Sequence, residues 1–134
     1  MSGPLISVGV PVWQGAGYVA ETLESILGQR DVRLRVFISI DGADAASERA
    51  CEPFTADPRV RLVVQPERLG WVRNSTAVLA EAIEAGADYS CIQPHDDVLA
   101  EDYLAALLTI ADKSNAAAVS TVATEVVVTA VSQS

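Results

Sequence analysis

The chain is poor in the residues that serve most cofactor chemistry, with one histidine, two cysteines and, as its only lysine, Lys113. A lone lysine so late in the sequence leaves no Gly-x-x-x-x-Gly-Lys-Ser/Thr loop, which excludes a P-loop hydrolase. Gly15 and Gly17 follow the first apolar run, but the third glycine of a dinucleotide fingerprint is replaced by Ala20, which argues against a dinucleotide dehydrogenase. Cys51 and Cys91 lack metal-ligand spacing and read as two buried thiols in a reducing compartment. No run of about 20 apolar residues encodes a membrane span. Met1-Ser2-Gly3-Pro4 lacks the basic and hydrophobic segments of a secretion signal, so a cytoplasmic location is expected. Nine basic residues against 18 acidic ones give a net charge of −9, which argues against nucleic acid or an anionic membrane as partner. A phosphorylated ligand on such a chain needs help from a cation and an arginine.

What is present is an alternation of apolar strands and helices. At 134 residues with half of them hydrophobic, one soluble domain is expected. Leu5 to Val12, Leu34 to Ile40, Arg59 to Val64 and Tyr89 to Gln93 read as strands. Between them lie helical patterns over Tyr18 to Leu27, Ala46 to Phe54 (closed by Pro53) and Gly70 to Ala85, with Gly28 and Gly86 as stops. A further helix over Ala100 to Ala111 turns Tyr103, Leu104, Leu107 and Ile110 inward. In the long helix Val72, Ala77, Leu79, Ala80 and Ile83 recur at helical spacing. This order implies βαβ units in a mostly parallel open sheet with helices on both faces, a Rossmann-like α/β fold. The ends of the four strands, near Trp13, Asp41, Gln65 and His95, then share one edge. Residues 1–115 are expected to form this α/β domain, and 116–134 a valine-rich tail that suggests a strand or the start of a missing second half. An unpaired edge of that kind favours association, so a homo-oligomer is expected. The chain reads as truncated, because no closing element follows the tail.

The acids at the strand ends carry the functional signal. Open α/β sheets bind ligands outside the carboxyl ends of their strands. Asp41, before Gly42, could accept a hydrogen bond from a base edge or a ribose hydroxyl, or could serve as an Asx-turn or cap acid. Asp96 and Asp97 repel each other unless a cation sits between them, and a divalent metal carrying a phosphate is the common case. Either could instead cap the next helix. Arg73 and Asn74 open the long helix, where a guanidinium suits a phosphate, although a solvated arginine is the plainer reading. Trp13 and Trp71 could stack on a base or fill the core.

Taken in order, these segments resemble family 2 glycosyltransferases of the GT-A fold. The resemblance rests on Ile6-Ser7-Val8-Gly9-Val10-Pro11-Val12-Trp13, on Tyr18 to Gln29, on Ile40-Asp41-Gly42, on Gly70-Trp71-Val72-Arg73-Asn74 and on His95-Asp96-Asp97-Val98-Leu99, between about Pro4 and Ala111. It implies a nucleotide-diphospho-sugar donor bound with Mg²⁺ or Mn²⁺ and transfer of the sugar, by inversion, to an acceptor it does not identify. Asp41 then matches the base-recognising acid, Pro11, Val12 and Trp13 the cradle of the base, and Arg73 the arginine near the nucleotide. Asp96 matches the last acid of the metal-binding D-x-D motif, with Asp97 beside it. Pro94 stands where the first acid of that motif is expected, and 116–134 offers no candidate for the family's catalytic base. The alternative is a non-catalytic fragment or degenerate nucleotide-binding or interaction module.

Overall fold

Leu5–Val12 forms β1, the central strand, whose side chains alternate between two helical layers. In a computed structural model that describes residues 3–94, 98–114, 118–122 and 125–129, β1 is flanked by β2 (Arg33–Ile40) and β4 (Tyr89–Ile92), and β3 (Val60–Val64) lies outside β2. All pairings in this four-stranded sheet of order β3-β2-β1-β4 are parallel. The strand ends anticipated from the sequence therefore share one edge, and the fold is the expected α/β sheet covered on both faces.

One face carries the main core. Ile6, Val8, Val10 and Val12 of β1 and Leu34, Val36, Ile38 and Ile40 of β2 pack there with Val19, Leu23 and Ile26 of α1 (Val19–Leu27). Cys51 of α2 (Ala45–Cys51) and Leu104 of α4 (Tyr103–Ser114) complete the cluster. Burial raises the Cys51 and Cys91 thiols to about 11, which makes both inert rather than nucleophilic. The second α-helix ends at Cys51, before Pro53 and short of the expected Phe54. Pro53 follows it in the first turn of a 3₁₀ helix, Glu52–Ala56, where its missing N–H costs nothing, and the chain tightens instead of ending.

The other face belongs to α3 (Trp71–Glu84). Its buried residues are Asn74, Ser75, Val78 and Ala82, whereas Val72 and Ile83 are 71% and 61% exposed. The apolar spacing announced the helix, but its buried stripe is offset and partly polar. The reason lies in the sheet: β1 and β2 offer this face Ser7, Gly9, Phe37 and Ser39. A Cβ on Gly9 would lie 3.0 Å from Val78 Cγ1, so the bare glycine lets α3 pack close without displacing the Val78 side chain. Asn74 then fastens the helix, accepting from Ser39 Oγ at 2.6 Å and donating to the Ser39 carbonyl at 3.0 Å.

In α4, Leu104 and Ala111 are buried, and Tyr103, Leu107 and Leu108 pack partly buried against the main core. Gln29, near the end of α1, ties that helix down by donating to Ala100 and accepting from the Leu104 amide. The tail strand forms as two strands, β5 (Ala118–Val122) and β6 (Glu125–Thr129), paired antiparallel with each other in a separate sheet. That pairing is internal and does not itself require a second chain. Among the described residues no helix is long and apolar enough to cross a membrane.

Asn74→Ala is expected to cost about 1–3 kcal/mol, because it strands the Ser39 hydroxyl and carbonyl in a buried layer. Urea unfolding checks this, and an unchanged midpoint contradicts the anchoring role.

Candidate functional site

Continuing the alternation of Phe37 and Ser39, Asp41 falls on the α3 side of the sheet just beyond β2. Its carboxylate is buried and accepts the Leu69 amide at 2.6 Å and the Gly70 amide at 3.1 Å. Asp41 is thus neither an Asx-turn nor a cap acid of a neighbouring helix. It clamps the loop between β3 and α3 across a separation of 28 residues. Gly42 lets that loop approach, since it adopts φ +92° and a Cβ there would lie 3.2 Å from the Arg68 nitrogen. Gly70 at φ +89° turns the chain into α3. Deeper in the same layer, Gln65 donates to Ser39 Oγ at 3.0 Å.

With the loop so held, Arg68 stands over the end of β1. Its guanidinium carbon lies 3.8 Å from the centroid of the Trp13 ring, and its Nε is 4.0 Å from Asp41 Oδ2. Pro11, Val12, Trp13, Asp41, Arg68, Trp71 and Asn74 line a small cleft of about 90 Å³. Trp13 is 43% exposed and Trp71 more so, so neither fills the core.

The β1–α1 loop is fixed from a third side. Asp44 caps α2 through the Ser47 amide and accepts the Gln14 amide at 3.1 Å, while Ser47 Oγ accepts from Gly15. The Ser47 hydroxyl bond holds the Asp44 carboxyl below its usual range. Gln14 takes φ +51° inside this latch.

Of the residues singled out from the sequence, the structure brings Pro11, Val12, Trp13 and Asp41 together in the cleft, with Asn74 at its base as an anchor. Arg73 is exposed on the first turn of α3 and does not line the cleft; the arginine that does is Arg68. Arg68 directly follows the polar run Gln65-Pro66-Glu67, which reads as a solvated loop, and only its spatial proximity to Trp13 gives it a role. Asp96 and Asp97, with His95, lie outside the described residues. The chain is fixed on both sides of them, by the Gln93 amide on the Gly9 carbonyl and by the Leu99 amide on Ser25 Oγ. Among the described residues no group of acids, cysteines and histidines could hold a metal ion. The Asp41 oxygens are already engaged by backbone amides, and Pro94 carries no ligating side chain.

The family model for glycosyl transferase family 2 matches residues 7–130. Glycosyltransferase GlyG of Streptococcus pneumoniae serotype 4 is 29% identical over 104 residues, covering 77% of this chain and 34% of that protein. The crystal structure of S. aureus TarS 1-349 in complex with UDP matches with a TM-score of 0.73 at 17% identity, over 82% of this chain and 32% of that one. Mannosyltransferase PcManGT from Pyrobaculum calidifontis, in complex with GDP-Man and Mn²⁺, matches with a TM-score of 0.71 at 24% identity, over 81% and 32% of the two chains. At those identities the two structures share the fold. The chain spans about a third of the length of each of these relatives.

The latch makes stability depend on pH with a definite sign. The folded-state pKa of Asp44 lies below the ordinary 3.8, so its contribution is complete above that value and is lost as pH falls through the folded one. Asp44→Ala is expected to destabilise the chain by about 0.5–2 kcal/mol at pH 7. Urea midpoints of the two proteins should converge below about pH 4. A difference that stays constant down to pH 2.5 contradicts the assignment.

Proposed function

This chain belongs to glycosyl transferase family 2, and on that membership we propose that its cleft receives the nucleotide of a nucleotide-diphospho-sugar. The observation that carries the reading is the meeting of an exposed indole, Trp13, with a buried carboxylate, Asp41, at the carboxyl edge of a parallel sheet. The base stacks on Trp13 with Pro11 and Val12 beneath it. Asp41 uses the lone pairs left after Leu69 and Gly70 to accept a base N–H. Arg73, on the first turn of α3, serves the diphosphate, where helix amides and a guanidinium both favour an anion.

The metal, Mg²⁺ or Mn²⁺, is assigned to Asp96 and Asp97, the acids that follow β4 beside β1. When bound, such an ion neutralises charge on the leaving nucleoside diphosphate. An acceptor hydroxyl attacks the anomeric carbon as the bond to the diphosphate breaks, with inversion, and no residue of this chain is assigned as its base. Pro94, in place of a first D-x-D acid, favours a second reading, a nucleotide-binding module without transfer activity.

Calorimetric titration with UDP, GDP and dTDP, each with and without Mn²⁺, tests these readings. One diphosphate is expected to bind more tightly with Mn²⁺, and Asp96→Ala to abolish that gain. Trp13→Ala is expected to weaken binding by about 1–3 kcal/mol, the worth of one stacked base. Binding that ignores both Mn²⁺ and Asp96→Ala removes the metal assignment and leaves the second reading. No binding of any diphosphate removes the donor site itself.

A further inference from the structure

We infer that Arg68 and the nucleobase are alternative occupants of one face of Trp13, which makes Arg68 a residue that sets the affinity of the site; the inference rests on the donor-site reading above. A nucleobase in this cleft has two requirements, a flat face against the indole and an N–H aimed at Asp41. The Arg68 guanidinium is a planar, N–H-bearing group that meets the first, 3.8 Å from the Trp13 centroid, and approaches the second as an ion pair without a hydrogen bond, its Nε 4.0 Å from Asp41 Oδ2. It stands where the base would stand.

The space left beside it is about 90 Å³, well short of the several hundred that small-molecule sites enclose. A nucleoside therefore enters only when the guanidinium leaves. The exchange needs no backbone movement. The loop around Arg68 is held by Asp41 and abuts Gly42, whereas the Arg68 side chain is 58% exposed and free to swing into solvent. Guanidinium and base are both planar and nitrogen-rich, so the same indole serves either.

Titration with uridine, guanosine and thymidine separates this role from phosphate binding, because nucleosides carry no charge for an arginine to attract. Arg68→Ala is expected to bind the nucleoside that the wild-type chain prefers about two- to fivefold more tightly, the gain from removing an exposed cation–π competitor. That gain should vanish in a Trp13→Ala background. Should Arg68→Ala unfold, Arg68→Gln, which keeps the reach but loses the delocalised cation, carries the same comparison. Equal or weaker nucleoside binding by the variant, with the wild type binding measurably, overturns the exchange while leaving the donor site intact. Failure of every nucleoside and diphosphate to bind wild type and variant alike overturns the donor-site reading, and the exchange with it.

Discussion

The Asp41 carboxylate, buried beyond β2 and receiving the Leu69 and Gly70 amides, is the constraint on which the rest of the site depends. Hydrogen bonds to a charged acceptor contribute about 1.5–3 kcal/mol, more than an ordinary neutral pair. Two of them on one loop fix where α3 begins and where Arg68 stands. The stacking of Arg68 on Trp13, at about 0.5–1 kcal/mol for an exposed pair, is weaker. The comparison decides which part is frame and which part moves: the loop backbone is held, and the arginine side chain is not.

The same carboxylate links fold to function. Asp41-Gly42 must let the β3–α3 loop come within van der Waals contact, and Gly42 does so through its positive φ and its lack of a Cβ. Ser39, Asn74 and Gln65 extend the polar layer from Asp41 into the sheet–helix interface. On the other side of β1, Asp44 and Ser47 latch Gln14 and Gly15, so the turn that carries Trp13 is held as well. The loops that carry Trp13 and the Asp41 acceptor are thereby both held at the rim of one cleft.

Much of this was legible in the residues. β1 runs over the eight residues its β-branched pattern marks, and the strand–helix alternation specifies a parallel sheet with one functional edge. The family resemblance was readable from five stretches in order, Ile6 to Trp13, Tyr18 to Gln29, Ile40-Asp41-Gly42, Gly70 to Asn74 and His95 to Leu99, and the family model bears it out. Other features were beyond sequence reasoning for physical reasons. The buried stripe of α3 is partly polar, because Asn74 answers a serine on β2 and not an apolar residue, so a hydrophobic count selects the wrong side. The α-helix stops ahead of Pro53, but the 3₁₀ turn that continues the chain through it leaves no mark in the apolar spacing. Arg68 could not be distinguished from a solvated loop arginine, since its meaning depends on Trp13, a partner far away in the chain. Arg73, the arginine that the sequence does single out, lies exposed on the first turn of α3, outside the cleft lining.

The central claim is that Trp13 and Asp41 face one nucleotide between them, and amide-resolved NMR of the labelled chain titrated with UDP, GDP and dTDP tests it most directly. The account predicts that one of these nucleotides shifts the Trp13 indole N–H and the Leu69 and Gly70 amides together, leaving the opposite end of the sheet, around Asp31, Asp88 and Asp112, undisturbed. Shifts confined to that opposite end, or spectra that do not respond to any of the three, would contradict it.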